Sequence, residues 1–511
     1  MENNLEILNQ KLTLNLSECD IARGLIGIEK EALRIENNQI STSKHPRVLG
    51  DKLTNIYITT DFAESQIELI TPPLSNNQQT LNFLDDLNHF VAHKTEDNLW
   101  PFSMPPFIEN ESDIALADFG NTNKGLFKNI YRRGLSLRYG RLMQSISGIH
   151  FNYSFPDSFL SHIARQYKLR NNKEFRSAIY LKTIRNVQRN NWLLLYMFGS
   201  SPIVSSNFSN NDFSFKELGD SYYLPNATTL RMSELGYQNI NQSNLHVSLN
   251  TIEEYCDDLV SLTRRPAKKY MQIKDSFDEG RSQLSKNLLQ IEAEYYAASR
   301  PKSNAIPEKR LAKQLRDHGV DYIELRSIDI NPFSRQGIDI ATINFLEVFL
   351  LFCCIDKSDY IIEKDLVEIR NNDLLVAKKG REKGLFLSKN HTQTSFRELA
   401  SKILDAMSEI ASVIGYDSDF IENYKLKVLH PELTLSGRVL KTALDNEIAL
   451  DELGYLIAEN NNKYYVERSI KNNSNFNKIQ KEVDLSTEKK GDLIDEGDVD
   501  FDKYLKDYFH N

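Results

Sequence analysis

The residues of this chain best suited to chemistry are carboxylates set two apart in runs that are otherwise apolar. Glu29 and Glu31 stand in GLIGIEKEALRI (24–35), Glu64 and Glu68 flank Gln66 in ESQIELITPP (64–73), and Glu324 precedes Arg326 in YIELRSID (322–329). An extended chain presents every second side chain to the same face, so each set shares a face. One such set is the ordinary signature of a solvated strand. Three of them suggest strands converging on one inner sheet face, where they would gather oxygen ligands for hard cations such as magnesium. Asp61, in YITTD (57–61), falls on the opposite parity from Glu68 unless a bulge or bend intervenes near Phe62–Glu64. His150 alternates with Asn152 and Ser154 against Ile149, Phe151, Tyr153 and Phe155 in MQSISGIHFNYSFP (143–156). It is the lone histidine on a polar strand face. By itself it reads as a hydrogen-bonded core histidine; beside the carboxylates it would be a ligand or a phosphate donor.

Missing motifs narrow the chemistry. The chain has no GxxxxGK[ST] loop, no protein-kinase signature set, no GxGxxG after a strand and no GxSxG elbow. A nucleoside triphosphate would therefore have to be held by metal–carboxylate clamps. The four cysteines form no CxxC: Cys19 and Cys256 stand alone, and Cys353–Cys354 lie inside the apolar run ATINFLEVFLLFCCID (341–356). They read as reduced and structural, which implies a cytoplasmic location. That run is too short and too polar, with Asn344 and Glu347, to span a membrane, and MENNLEILNQ has no export signal. The net charge of -9 and the pI of about 5.7 come with no basic stripe, so neither nucleic acid nor membrane is an expected partner.

The elements that must position these groups can be read coarsely. A short helix precedes the strand 24–35. A second strand pair reads from YITTD (57–61) into ESQIELITPP (64–73), closed by Pro72 and Pro73. Leu81, Phe83, Leu84, Leu87 and Phe90 have helical spacing over 81–94. WPFSMPPFI (100–108) is a proline-punctuated loop, and 175–198 reads as one long helix ending at Gly199. Residues 310–333 read as helix, glycine turn and strand, and 393–414 as an amphipathic helix. For 511 residues, a prior of about 150 per domain suggests roughly three domains, but a large enzyme around one deep site fits equally. The expectation is a single catalytic domain over 1–470 with helical excursions. Residues 471–511 read as a polar, mobile tail, with a small docked element in FDKYLKDYF (501–509). Strands with irregular helical excursions between them give an α+β fold with a largely antiparallel sheet.

GIEKEALR (27–34), TTDFAESQIELITP (59–72), MQSISGIHFN (143–152), LRMSELGY (230–237) and YIELRSIDINPF (322–333) closely resemble bacterial glutamate–cysteine ligase of the gammaproteobacterial type. WPFSMP (100–105), YRxGL with RYG (131–140) and FGSSP (198–202) agree in the same order. The resemblance runs from about residue 20 to 335 and more weakly to about 460. It implies a catalytic core similar to glutamine synthetase and the guanido kinases, an antiparallel barrel-like sheet forming a funnel surrounded by helices. It implies ATP- and Mg²⁺-dependent joining of the L-glutamate γ-carboxylate to the L-cysteine amine through γ-glutamyl phosphate, with Mn²⁺ as a substitute metal. On the matching positions, Glu29, Glu31, Asp61, Glu68, His150 and Glu324 would form the metal wall, and Arg326 would stabilise the transferring phosphoryl group. Arg231 would grip a substrate carboxylate with Gln144 near the glutamate amine. Phe62, Tyr131, Leu135, Tyr237 and Tyr296 would line the cysteine pocket, with Tyr295 the alternative to Tyr296. Glutathione is the implied feedback inhibitor, and a monomer the expected state. The competing readings are a related ligase using another amine, a metal-dependent nuclease, which the missing basic surface opposes, and a non-catalytic metal- or nucleotide-binding protein.

Overall fold

The computed structural model describes residues 5–14, 24–209, 213–238, 241–242, 245–274, 280–304, 309–417, 419–471, 473–495 and 500–510. Its centre is an antiparallel sheet. The main strands are β1 (Leu25–Glu36), β2 (Ile58–Thr60), β3 (Gln66–Ile70), β4 (Ile149–Ser154), β5 (Ser299–Lys302) and β6 (Tyr322–Ile328), in the order β5-β6-β4-β1-β3-β2. Two short strands, Gln39–Ile40 and Asn98–Leu99, extend the pairing of the far end of β1. The fold is therefore α+β with an antiparallel sheet, as the strand spacing predicts.

One face of the sheet is apolar because the alternation places it so. Ile26, Ile28 and Ala32 of β1, Ile67 and Leu69 of β3, Phe151 and Tyr153 of β4, and Ile323 and Leu325 of β6 are all buried in one core. Full burial of each large side chain contributes about 1.5–3 kcal/mol. Helices α1 (Asn77–Lys94), α3 (Lys173–Phe198) and α5 (Ile340–Ile355) supply the other half of that core. Asn76, Asn172 and Asp339 cap their first turns by accepting from Gln79 N, Phe175 N and Thr342 N. Between α1 and α3 in sequence, α2 (Asn123–Tyr139) buries Leu135 and Ile130 in clusters separate from that core. The apolar run 341–356 is the buried helix α5, and its Glu347 carboxylate accepts from Asn77 Nδ2 (3.0 Å) and Tyr416 Oη (2.7 Å). Cys256, Cys353 and Cys354 are buried free thiols, while Cys19 lies outside the described residues. Among the described residues no helix is long and apolar enough to cross a membrane.

Beyond the short helix α4 (Leu311–His318), which ends at Gly319 as the glycine turn predicts, α6 (Glu363–Lys379) and α7 (Phe396–Val413) extend the helical layer. A buried relay ties that layer to β6. Ser327 Oγ donates to Asn191 Oδ1 (2.7 Å) on α3, and Asn191 Nδ2 donates to Asp373 Oδ2 (2.8 Å) on α6. Burial pushes the Asp373 carboxyl up to about 7. A carboxyl raised in the folded state favours folding fully below its unfolded value, and that advantage is lost as pH rises to the folded value. Asp373→Asn should thus stabilise the protein at pH 8, on the order of 3 kcal/mol, and by much less at pH 5. Denaturant titrations at the two pH values check this; an equal change at both would contradict a titrating Asp373.

The C-terminal segment corrects the expected mobile tail over 471–511. Helix α8 (Leu450–Glu467) is followed by α9 (Ser474–Asp495), which packs against α1, and by α10 (Phe501–His510). Phe476, Ile479, Val483 and Ser486 are buried at helical spacing, a stripe that the surrounding Asn and Lys residues mask in composition. Phe476 lies 4.8 Å from the Phe90 ring, Ser486 Oγ accepts from Asp51 N (3.0 Å), and Lys490 Nζ donates to Phe119 O (2.8 Å). The docked element expected at 501–509 is α10, whose Leu505 is buried beside Ile130 of α2.

Candidate active site

Register alone assembles the polar face. Glu31 pairs with Glu68 across β1 and β3, Glu29 with His150 across β1 and β4, and Asn152 with Glu324 across β4 and β6. Directly opposed residues share a face. Four strands separated by long stretches of chain thus point their polar side chains the same way. Glu29, Glu68 and His150 each offer a ligand atom within 4.8 Å of the others. His150 Nδ1 is 3.0 Å from Glu29 Oε2 and its Nε2 is 3.5 Å from Glu31 Oε1. Glu31 also accepts from Gly148 N (2.9 Å).

The electrostatics of this cluster ask for a cation. Burial, then the charges of Glu29, Asp61 and Glu31, push the Glu68 carboxyl well above its ordinary value. Burial likewise raises Glu31 against the pull of His150. For Glu29 burial is again the largest influence and opposes the charge, but the hydrogen bond with His150 together with the charges of His150 and Lys302 brings the net direction down. Oxygen ligands and one imidazole, packed this closely with insufficient positive charge, suit a hard divalent ion. The residues fit such an ion.

Asp61 and Glu324 lie outside that tight trio. Asp61 reaches the same sheet face because the β2–β3 hairpin pairs Thr59 with Glu68, so residues of unlike parity face together. The bend allowed for near Phe62–Glu64 is the β2–β3 turn, and with it the parity conflict disappears. The Asp61 side chain is 45% exposed and lies 3.9 Å from Arg132 Nη2. Glu324 is instead held by cations: Lys302 Nζ and Arg326 Nη1 each stand 3.4 Å away. Burial opposes its charge, yet Lys302, Arg326 and Arg300 hold its carboxyl well below the usual range. Glu64, expected on the face of Glu68, sits in the turn and binds Lys52 Nζ (2.6 Å). It serves the loop, not the cluster.

Beside the carboxylates lies a small cleft lined by Arg231, Met232, Tyr237, Tyr296 and Arg326, among others. Gln144 Nε2 donates to Tyr296 Oη, and the Tyr296 and Tyr237 rings are 5.4 Å apart. Tyr295 packs into the helical core instead, which separates the two adjacent tyrosines. Tyr131 and Leu135, one turn apart on α2, pack with Phe62 of the hairpin. The register shifts by one residue between Leu325 and Ile328, which re-aims the chain just where Arg326 sits. Gly148 is there for room: a Cβ on it would lie 2.2 Å from Arg231 Nη2.

Comparison with known proteins decides the family. The glutamate–cysteine ligase family model matches residues 10–376. The glutamate–cysteine ligase of Pseudoalteromonas translucida (strain TAC 125) is 38% identical over 501 residues, covering 94% of each chain. That of Vibrio vulnificus (strain YJ016) is 38% identical over 502 residues. This chain belongs to the glutamate–cysteine ligase family. The crystal structure of the family member from Francisella tularensis, determined in complex with AMP, superposes with a TM-score of 0.90 at 32% identity, covering 96% of this chain and 98% of that one. A bifunctional glutathione synthetase from Pasteurella multocida shares the fold, with a TM-score of 0.69 at 24% identity over 54% of its length.

Against the family reading, strand spacing missed the cations that surround the carboxylates. Lys302 and Arg300 stand on β5, where Pro301 breaks the recognisable pattern and which, as an edge strand, tolerates a proline. Lys128 and Arg132 stand on α2, packed against the Phe119 ring at 4.7 and 4.4 Å. Asp329 was equally invisible, one residue past the end of β6.

Proposed function

We propose that this chain performs the family reaction: it joins the γ-carboxylate of L-glutamate to the amine of L-cysteine at the expense of ATP, the first step of glutathione biosynthesis. The observation that carries this reading is the juxtaposition of an arginine-and-tyrosine cleft with a carboxylate cluster on one sheet face. A γ-carboxylate oxygen attacks the γ-phosphorus of ATP, ADP leaves, and γ-glutamyl phosphate forms. The cysteine amine then attacks the acyl carbon, phosphate leaves, and the amine gives up a proton. Glu29, Glu31, Glu68 and His150, with Asp61 and Glu324 completing the wall, would hold Mg²⁺, which would supply charge neutralisation for the triphosphate; Mn²⁺ would suit the same donors.

Arg326 faces the cluster at the edge of the cleft and stabilises the phosphoryl group in flight. Arg231 pairs with a substrate carboxylate through its planar fork, with Gln144 at the glutamate amine. Phe62, Tyr131, Leu135, Tyr237 and Tyr296 give the thiol an apolar slot and its carboxylate hydroxyl donors. The sheet-lined site is consistent with a glutamine synthetase and guanido kinase-like core, and the reading includes cytoplasmic location, a monomer and feedback inhibition by glutathione. One assay tests the reaction. ADP release with glutamate should rise sharply when cysteine is added, and γ-glutamylcysteine should accumulate in equal amount. Equal stimulation by any small amine would favour a ligase with a different acceptor.

A further inference from the structure

The FGSSP segment (198–202) contributes no side chain to the site described so far, yet it is fastened to it through Asp329. This carboxylate is buried, 1% exposed, immediately after β6. Its Oδ2 accepts from Ser200 N (2.8 Å) and from Ser201 Oγ, and its Oδ1 accepts from Thr229 Oγ1 (3.0 Å). Ser200 Oγ donates back to Ile330 O (2.6 Å), and the backbones of Ser201 and Thr229 bridge in parallel. Gly199 permits that approach, because a Cβ there would meet Thr228 O at 2.8 Å. Three segments distant in sequence are thus knotted around one carboxylate.

The knot faces Arg231. Arg231 Nη1 is 3.6 Å from Asp329 Oδ1, its Nη2 donates to Arg326 O (2.8 Å), and its plane lies 5.1 Å from the Tyr237 ring centre. Among the described residues its Nε has no hydrogen-bond partner, although Arg231 is 1% exposed and lines the cleft. A guanidinium braced on one side by a fixed anion and a fixed carbonyl keeps its remaining donors aimed in one direction. With Ser200, Ser201 and Thr229 holding the anion, the brace itself cannot rotate.

We infer that Asp329 is the positioning residue that sets the Arg231 guanidinium for a substrate carboxylate, and that FGSSP exists to hold Asp329 still. This rests on the proposed role of Arg231. The test measures KM for glutamate and for ATP in Asp329→Asn, Arg231→Lys and the double variant of the full-length protein, each checked for folding by circular dichroism. Asp329→Asn should raise the glutamate KM about tenfold or more, the scale of one charge-assisted contact, while the ATP KM moves less than about threefold. Arg231→Lys should raise the glutamate KM on its own, and adding Asp329→Asn to it should raise it little further, since coupled residues are not additive. Should Asp329→Asn not fold, Thr229→Val, which removes one donor and keeps the carboxylate, carries the test with a smaller rise of the same selectivity. Equal shifts in both KM values, no shift in glutamate KM, or full additivity with Arg231→Lys would overturn the assignment. An Arg231→Lys enzyme with unchanged glutamate KM would overturn the role of Arg231 itself, a failure recognisable without Asp329.

Discussion

Glu68→Gln should lower turnover by roughly 10²–10³-fold or more, the scale at which a preorganised charge acts on a transferring phosphoryl group. The substitution keeps the shape of the side chain and its place opposite Glu31 in the sheet. It also removes one of several carboxylates that repel each other, so the metal-free protein should unfold at no lower temperature than the parent. Glu29→Gln should behave alike in turnover, because Glu29 and His150 share one hydrogen bond at the same cluster. Titration with Mn²⁺, followed by its paramagnetic signal, should show weaker binding in both variants. A fully active Glu68→Gln enzyme with unchanged metal dependence would remove the cluster from the mechanism.

Arg326→Lys should reduce kcat by roughly 10²-fold or more while ATP affinity changes little. Lysine keeps the charge but loses the planar fork, which is not a conservative change at a phosphate. A contact that strengthens only during transfer appears in kcat, whereas a ground-state anchor appears in binding. Arg326 Nη1 rests 3.4 Å from Glu324, so its charge already has a partner, and Lys302 also stands 3.4 Å from that carboxylate. Equilibrium binding of ATP–Mg²⁺ measured beside kcat separates the two roles. Normal turnover with poor ATP binding would make Arg326 an anchor.

How much of this was written in the sequence varies with the physics involved. Periodicity of two located Glu29, Glu31, Glu68, His150 and Glu324, because alternation is a property of one strand and needs no partner. Pairing is a property of two strands, and there local reasoning left the question open: Asp61 needed a bend near Phe62–Glu64 to face Glu68, and the turn between β2 and β3 supplies it. The arginines and lysines around the carboxylates stayed hidden because α2 and β5 bring them from segments with no distinctive spacing of their own. Family resemblance, carried by long motifs, supplied Arg231, Gln144 and the aromatic wall, which periodicity would have left as ordinary core. The tail was misread for a compositional reason, since a stripe of three apolar residues and a serine is diluted by the polar residues of a 22-residue helix.

The topology of the sheet also governs how the chain must be made. β1 finds β3 within the first 70 residues, but its other neighbour, β4, joins it across a separation of 121 residues at the Glu29–His150 contact. β4 in turn waits for β6, and the loop at Asp51 is fastened by Ser486 across 435 residues. A ribosome that has released only the first 200 residues therefore displays a sheet with the β4 edge open and several acidic side chains facing one another without the cations of β5 and β6. Open edges are templates for association with other chains, and long-range closure is slow. Until residue 328 has emerged that edge has no partner of its own, the circumstance in which chains of this size misassemble with their neighbours.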